Sequence, residues 1–421
     1  MKKIITAAVL GTGSRGQLFT YGLKKRQNQF KIVALCDYNP EQIKKVHTLY
    51  GLENTEDFYD ENEFFKKKRA DFLIIATHDR YHVSQCVKAM ELGYDVFMEK
   101  PISDSREEIK LLLATQEKTG KKVIICHELR YGAGFVKCDE LIKNGVIGRL
   151  YAIDASERAA YWHWAQAYVR GLGTLDDVSI CHPVILAKCS HDLDLLQAYA
   201  GSECESVSSV GSRSFFVKSN KPEGAADKCV DCKYIDSCPY SAKRIYVDMW
   251  HENGEPEFLW PYYKVCIDPP LTEEKLMKGI DTSIFGQCVF NFEHKDFVDH
   301  QFVQMHFKNG VDASLKMVFG AEPGRRIVFY GSYGEIVLDE RTDEIEIMKY
   351  GEKKQVIKIG TLIEGGYGHG GGDEKIMDEM YPILTNETAP RTTLKESVES
   401  HLMGIAAEES RKENGTVKFV H

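Results

Sequence analysis

No stretch of this sequence approaches the roughly eighteen consecutive apolar residues of a membrane-spanning helix, which argues against a membrane protein. Basic residues are not in excess either. The formal net charge of −9 at pH 7 excludes the broad cationic surface that nucleic-acid binding requires. There is no internal repeat and no low-complexity tract, so neither a solenoid nor a disordered array is expected. After the two N-terminal lysines the apolar run is short and leads into a glycine turn, so it reads as a first strand and not as a signal peptide. With no export signal, the twelve scattered cysteines fit reduced thiols in a cytoplasmic protein.

What is present is a soluble globular composition, 43% hydrophobic and 28% charged, over 421 residues. That length exceeds one ordinary core and predicts two domains. Short apolar runs alternate with helical stretches in the first part. Strands are expected at Ile4–Leu10, Lys31–Cys36, Phe72–Ala76, Val96–Met98 and Val123–Cys126. Helices are expected at Gln17–Lys25, from Pro40, at Tyr81–Leu92 and at Ser105–Lys118. This alternation implies a parallel sheet with right-handed crossovers.

After about Leu129 the rhythm changes. Following a helix near Phe135–Lys143, strand-like runs occur at Leu150–Ala155, Val207–Phe216, Cys288–Phe292, Phe302–Phe307, Ala313–Phe319, Arg326–Gly331 and Glu335–Asp339. Strands without intervening helices predict a mostly antiparallel sheet with an open face. Residues 218–270 read as an irregular insertion, and helical periodicity returns at Glu374–Leu384 and Leu394–Glu408.

Gly11-Thr12-Gly13-Ser14-Arg15-Gly16 matches GxGxxG, a weak signal alone. Its setting strengthens it: a strand precedes it, a helix opens in it, and a second strand ends in Asp37, twenty-one positions after Gly16. The first glycine permits the turn, the second lets a pyrophosphate approach the backbone, and the third lets helix pack on strand. Asp37 stands where an acid accepts hydrogen bonds from the adenine ribose and repels a 2′-phosphate, which favours NAD over NADP. The predicted architecture is α/β: a Rossmann doubly wound parallel sheet over residues 1–128, then an α+β domain with a large, mostly antiparallel open sheet over 129–421.

Ala76-Thr77-His78-Asp79-Arg80-Tyr81-His82 resembles the A-T-x-x-x-x-H segment of the Gfo/Idh/MocA oxidoreductases, the glucose–fructose oxidoreductase and inositol dehydrogenase family. Glu99-Lys100-Pro101 matches that family's E-K-P signature, and Ser190-His191-Asp192-Leu193-Asp194 resembles its H-x-x-D segment. The resemblance implies an NAD(P)-dependent dehydrogenase acting on a hydroxyl of a sugar, sugar derivative or cyclitol. It adds Thr77, His82, Glu99 and Lys100 to Gly11–Gly16 and Asp37 as cofactor contacts. It makes Lys100 and His191 the catalytic pair. Imidazole is poised to take a hydroxyl proton near neutral pH, and a lysine beside the reacting oxygen stabilises charge building there. One departure stands out. Many members carry an aspartate four positions before the histidine, where this chain has Ala187, followed by Lys188 and Cys189.

Further substrate contacts are expected from His127, Arg130 and Tyr131 after the strand that follows E-K-P, and from Asp194 in the histidine segment. His163 and Arg170 lie in an aromatic stretch, Tyr161-Trp162-His163-Trp164, that either stacks on a sugar ring or packs as ordinary core or interface. The glycine-rich loop Gly365–Asp373 either closes over the site with His369 and Asp373 as contacts or is a flexible linker.

Cys229-x-x-Cys232 followed by Cys238-Pro239 suits either a structural zinc or three reduced thiols. A fourth ligand is sought among Cys189, Cys204 and Cys266; an iron–sulfur cluster needs four cysteines, one more than this run supplies. Two further readings of function stay open. One is a redox-neutral NAD-dependent glycosidase working by oxidation and elimination, for which the missing aspartate leaves room; the other is a non-catalytic NAD-binding regulator. The exposed sheet face predicts a homo-oligomer.

Overall fold

The computed structural model describes residues 3–52, 54–171, 182–256, 260–266, 268, 270–292, 296–364 and 368–421. Six strands form a first sheet: β1 (Ile5–Leu10), β2 (Phe30–Cys36), β3 (Glu56–Phe58), β4 (Phe72–Ile75), β5 (Asp95–Met98) and β6 (Val123–Ile125). Their order is β3-β2-β1-β4-β5-β6, and every neighbouring pair is parallel. β4 is buried throughout and β1 almost so, because a parallel sheet with helices on both faces leaves no wet side. The strand order reverses at β1, so the crevice beyond the carboxyl ends of β1 and β4 is where this topology places a ligand. The loops that follow β1, β4 and β5 carry Gly11–Gly16, Thr77 and Glu99-Lys100.

Nine strands form the second sheet: β7 (Leu150–Ala160), β8 (Cys204–Ser212), β9 (His300–Phe307), β10 (Asp312–Gly320), β11 (Gly324–Gly331), β12 (Gly334–Asp339), β13 (Glu344–Lys349), β14 (Gln355–Lys358) and β15 (Lys418–Phe419). The order is β14-β13-β12-β11-β7-β10-β9-β8-β15; β7 and β10 are parallel and the other pairs antiparallel. β9 alternates buried and exposed residues, as a strand with one covered face must. Helices Val184–Ala200 and Leu394–Lys412 supply that cover.

Several features depart from the sequence-based expectation. The expected strand at Cys288–Phe292 is a short helical turn at Val289–Asn291, held by contacts in the irregular region and not by a sheet. Helix Val184–Ala200 was not foreseen, because it is buried on almost every side and shows no amphipathic period. Helix Gly372–Leu384 returns to the first sheet, where Ile376, Met377, Met380 and Tyr381 complete its core beside Phe19 and Phe30. Gly365, Gly366 and Tyr367 of the glycine-rich loop lie outside the described residues. Among the described residues no helix is long and apolar enough to cross a membrane.

Candidate active site

A cleft of about 810 Å³ opens between the two sheets, and the loops after β1, β4 and β5 form one wall. Gly11 has φ +86°, and a Cβ there would lie 2.5 Å from the Ala76 carbonyl; at Gly16 a Cβ would lie 1.9 Å from the Gly11 carbonyl. Both positions therefore demand glycine. At Gly13 a Cβ would meet nothing within 4 Å, so this backbone faces open space. Gly13 caps helix Ser14–Lys25 without a side-chain hydrogen bond, and the first turn holds no acidic residue. Free N–H donors and a positive helix end thus face the cleft, as a pyrophosphate requires. Asp37 Oδ2 accepts from the Thr12 amide at 2.7 Å and from its hydroxyl at 3.0 Å, while Oδ1 accepts from the Asn39 amide at 2.9 Å. The carboxylate is thereby fixed beside the glycine turn. These residues fit a dinucleotide.

Lys100, in the loop after β5, and His191, on helix Val184–Ala200, meet on this cleft. Lys100 Nζ donates to the Ala187 carbonyl at 2.9 Å, so the backbone of the residue standing in place of the family's aspartate orients the lysine. The chain just beyond is anchored from helix Leu394–Lys412, where His401 Nε2 accepts from the Ile102 amide at 2.9 Å. His191 is 5% exposed, and its Nε2 lies 3.2 Å from Glu128 Oε1. Burial, aided by the Lys100 charge, pushes the imidazole well below its usual range and keeps it neutral. Its Nδ1 is buried with no partner.

Arg15 gathers the acids of the cleft floor. It pairs with Glu99, lies 2.9 Å from Asp373 and stands 3.9 Å from Glu128. His369 Nδ1 is 2.9 Å from Asp373 Oδ2 and 3.5 Å from Glu128 Oε1. Burial would lower this imidazole, but the two carboxylates outweigh it and the net shift is upward. Glu128, His369 and Asp373 are close enough to share an ion; the Arg15 guanidinium already supplies the opposing charge.

On the far wall Lys188 Nζ lies 2.7 Å from Glu157 Oε1, and Arg325 lies 3.0 Å from Glu157 and 2.8 Å from Asp192. Burial alone would raise the Glu157 carboxyl, but Arg325 and Lys188 hold it at about 2. His163 also lines the cleft, its ring 4.7 Å from Trp260 and 5.5 Å from Tyr168, and burial lowers its imidazole to about 3. The irregular region thus reaches the site through Trp260 and Lys264.

The structure therefore brings Ser14, Arg15, Thr77, Glu99, Lys100, His163, His191 and His369 together. His82 does line the cleft, but as a buried brace between the two cofactor loops, with Nδ1 2.7 Å from the Pro101 carbonyl and Nε2 3.3 Å from the Thr77 carbonyl. Other expected contacts lie elsewhere. Arg130 Nε donates to Asp194 at 2.7 Å, and Tyr131 packs into the first core. That ion pair occupies both substrate candidates. His127 is buried behind the site, its ring 6.1 Å from that of His191. Arg170, 1% exposed, turns away towards Cys229. Sequence reasoning missed Glu128, Glu157 and Arg325. An acid directly after His127 was a signal that could have been used; Glu157 and Arg325 carry none, because only the pairing of β7 with β11 makes them neighbours.

The three thiols Cys229, Cys232 and Cys238 do not converge as one zinc requires. A tetrahedral zinc with Zn–S near 2.3 Å sets its sulfurs about 3.8 Å apart. Among the described residues the only group whose ligand atoms all lie within 4.8 Å of one another is Glu128, His369 and Asp373.

Residues 5–127 match the NAD-binding Rossmann fold of an oxidoreductase family, and residues 139–419 match the C-terminal alpha/beta domain of the same family. The chain is 24% identical to YteT of Bacillus subtilis over 409 residues, covering 90% of this chain and 89% of that one. It is 26% identical over 201 residues to an inositol 2-dehydrogenase/D-chiro-inositol 3-dehydrogenase of Halalkalibacterium halodurans, spanning 48% of this chain and 54% of that enzyme. The structure of a levoglucosan dehydrogenase in complex with NADH and levoglucosan superposes with a TM-score of 0.70 at 14% identity, covering 99% of this chain and all of that one.

Proposed function

This chain belongs to the Gfo/Idh/MocA family of NAD-binding oxidoreductases, and on that premise we propose that it moves a hydride between nicotinamide and a secondary hydroxyl of a sugar, sugar derivative or cyclitol. The observation that carries this reading is the meeting of Lys100 and His191 in one cleft with the glycine turn. Gly11–Gly16, Asp37 and Thr77 would hold the dinucleotide, with Arg15 and Glu99 at its inner end. When bound, the nicotinamide supplies the hydride acceptor or donor. Lys100 donates a hydrogen bond to the reacting oxygen and stabilises negative charge there. His191, kept neutral by burial, takes the hydroxyl proton, and Glu128 beside Nε2 stabilises the imidazolium that forms. His163 and Trp260 offer flat faces to a ring, and Lys188 offers a charged donor to its hydroxyls. The same reading includes a cytoplasmic setting and a homo-oligomer built on the open face of the second sheet.

The test is a panel of sugars, cyclitols and nitrophenyl glycosides incubated with NAD⁺, with NADH and aglycone followed together. NADH should accumulate with at least one free sugar or cyclitol. Aglycone release without net NADH would replace this reading by oxidation–elimination.

NAD should bind more tightly than NADP, because a 2′-phosphate would meet the Asp37 carboxylate fixed by Thr12 and Asn39. Calorimetric titration with both cofactors measures this, and Asp37→Ala should narrow the gap. Equal affinities in the wild-type chain would remove Asp37 from the proposed site.

A further inference from the structure

Cys229, Cys232 and Cys238 are joined by a fourth cysteine that no spacing rule pointed to. Cys288 lies fifty positions after Cys238, yet all four line one cavity of about 430 Å³. Two contacts between the strands of chain bring it there. Lys228 and Gln287 form an antiparallel bridge, and the Cys288 amide donates to the Asp227 carbonyl at 2.8 Å.

Hydrogen-bond donors surround these sulfurs. The Ala242 amide donates to Cys229 Sγ at 3.4 Å, and Arg170 Nη2 donates to the same sulfur at 3.6 Å. Cys238 and Cys288 receive the amides of Tyr240 and Phe290, each two residues on. Neutral thiols are weak acceptors, whereas metal-bound thiolates draw such donors. Arg170 is the second, independent observation. It is 1% exposed, no carboxylate among the described residues pairs with it, and its Nη1 has no hydrogen-bond partner. A buried guanidinium without a counter-anion is costly, and it lines this cavity.

We propose that Cys229, Cys232, Cys238 and Cys288 bind one [4Fe–4S] cluster, with Arg170 as its buried counter-charge. Four cysteine ligands are what such a cluster takes, and its net negative charge answers the guanidinium. Each cysteine binds a different iron, so the sulfurs stand further apart than around a single zinc, and here no three of the four lie within 4.8 Å of one another. The cluster's role is structural: it ties Cys229–Cys238 to Cys288 in a region with little regular secondary structure. Arg170 ends the helical segment whose Gln166 and Tyr168 line the catalytic cleft, so the cluster also fixes one wall of that cleft.

The full-length chain, purified without oxygen and reconstituted with ferrous iron, sulfide and thiol, should hold about four iron and about four acid-labile sulfide per chain. Its broad visible absorption should bleach with dithionite. Cys288→Ser should lose at least half of the iron and sulfide, while Cys266→Ser, a cysteine of the same irregular region that does not line the cavity, should keep both. Circular dichroism on each variant separates loss of ligand from loss of fold, and Cys232→Ser serves if Cys288→Ser does not fold. About one zinc with no sulfide would overturn the cluster, as would folded protein that takes up neither metal. Full cluster content in Cys288→Ser would overturn the four-ligand assignment. None of these readouts depends on dehydrogenase turnover, so the cluster and the proposed activity fail separately.

Discussion

His191→Ala is expected to lower kcat by about 10²- to 10⁴-fold, the range lost when a general acid–base group is removed. NAD⁺ affinity should survive, because the glycine turn and Asp37 are untouched. Lys100→Ala should be comparably damaging, since the reacting oxygen loses its charged donor as negative charge develops. The double variant should be little worse than either single one, because groups acting as a unit are not additive. The pH profile gives an independent check. Burial lowers the His191 imidazole, so the neutral, proton-accepting form persists as the solution becomes more acidic. Oxidation should therefore show no acidic limb between about pH 6 and 7, where an ordinary histidine would titrate. A near-normal kcat in His191→Ala would move the proton acceptor elsewhere, and His163 would be tested next.

Glu157→Ala is expected to destabilise the second unit by about 3–5 kcal/mol, the cost of breaking a buried ion pair by removing one partner. Glu157 sits between Lys188 and Arg325, and all three are buried or nearly so. Its loss removes the acid that pairs with Lys188 and leaves Arg325 facing Asp192 and, at 3.9 Å, Glu340. Glu157→Gln should cost less, because the amide oxygen still accepts from Lys188. Denaturation by urea followed through tryptophan fluorescence measures both variants. An unchanged midpoint in Glu157→Ala would mean that water reaches the network. Lys188 also lines the cleft, so a raised KM should accompany the lost stability.

Much of the first sheet was legible because its chemistry is local. β1, β2, β4, β5 and β6 follow apolar runs that a doubly covered sheet requires, and Gly11–Gly16 lies in the turn after β1. β3 escaped notice: Glu56–Phe58 is a three-residue edge with no apolar run. β13 and β14 escaped too: Glu344–Lys349 alternates glutamate with isoleucine over only four positions, and Gln355–Lys358 is a four-residue edge strand without alternation. The motifs pointed to Lys100 and His191 through resemblance, and their shared cleft followed from the fold.

The sequence by itself determined the parallel sheet, the glycine turn after β1 with Asp37 following β2, and the family, since each is written within a few dozen consecutive residues. Only the tertiary structure decided which charged groups share the cleft. Glu128 reaches His191 across the two units, and Glu157 reaches Arg325 through the pairing of β7 with β11. It also withdrew Arg130 and Asp194 from the candidate substrate set, because each neutralises the other at 2.7 Å. The cysteines show the same division. A run of three was visible in the chain, but Cys288 joined them only where the Lys228–Gln287 bridge closes a loop of more than fifty residues. Periodicity and motif spacing report neighbours along the chain; burial and charge pairing are settled by neighbours in space.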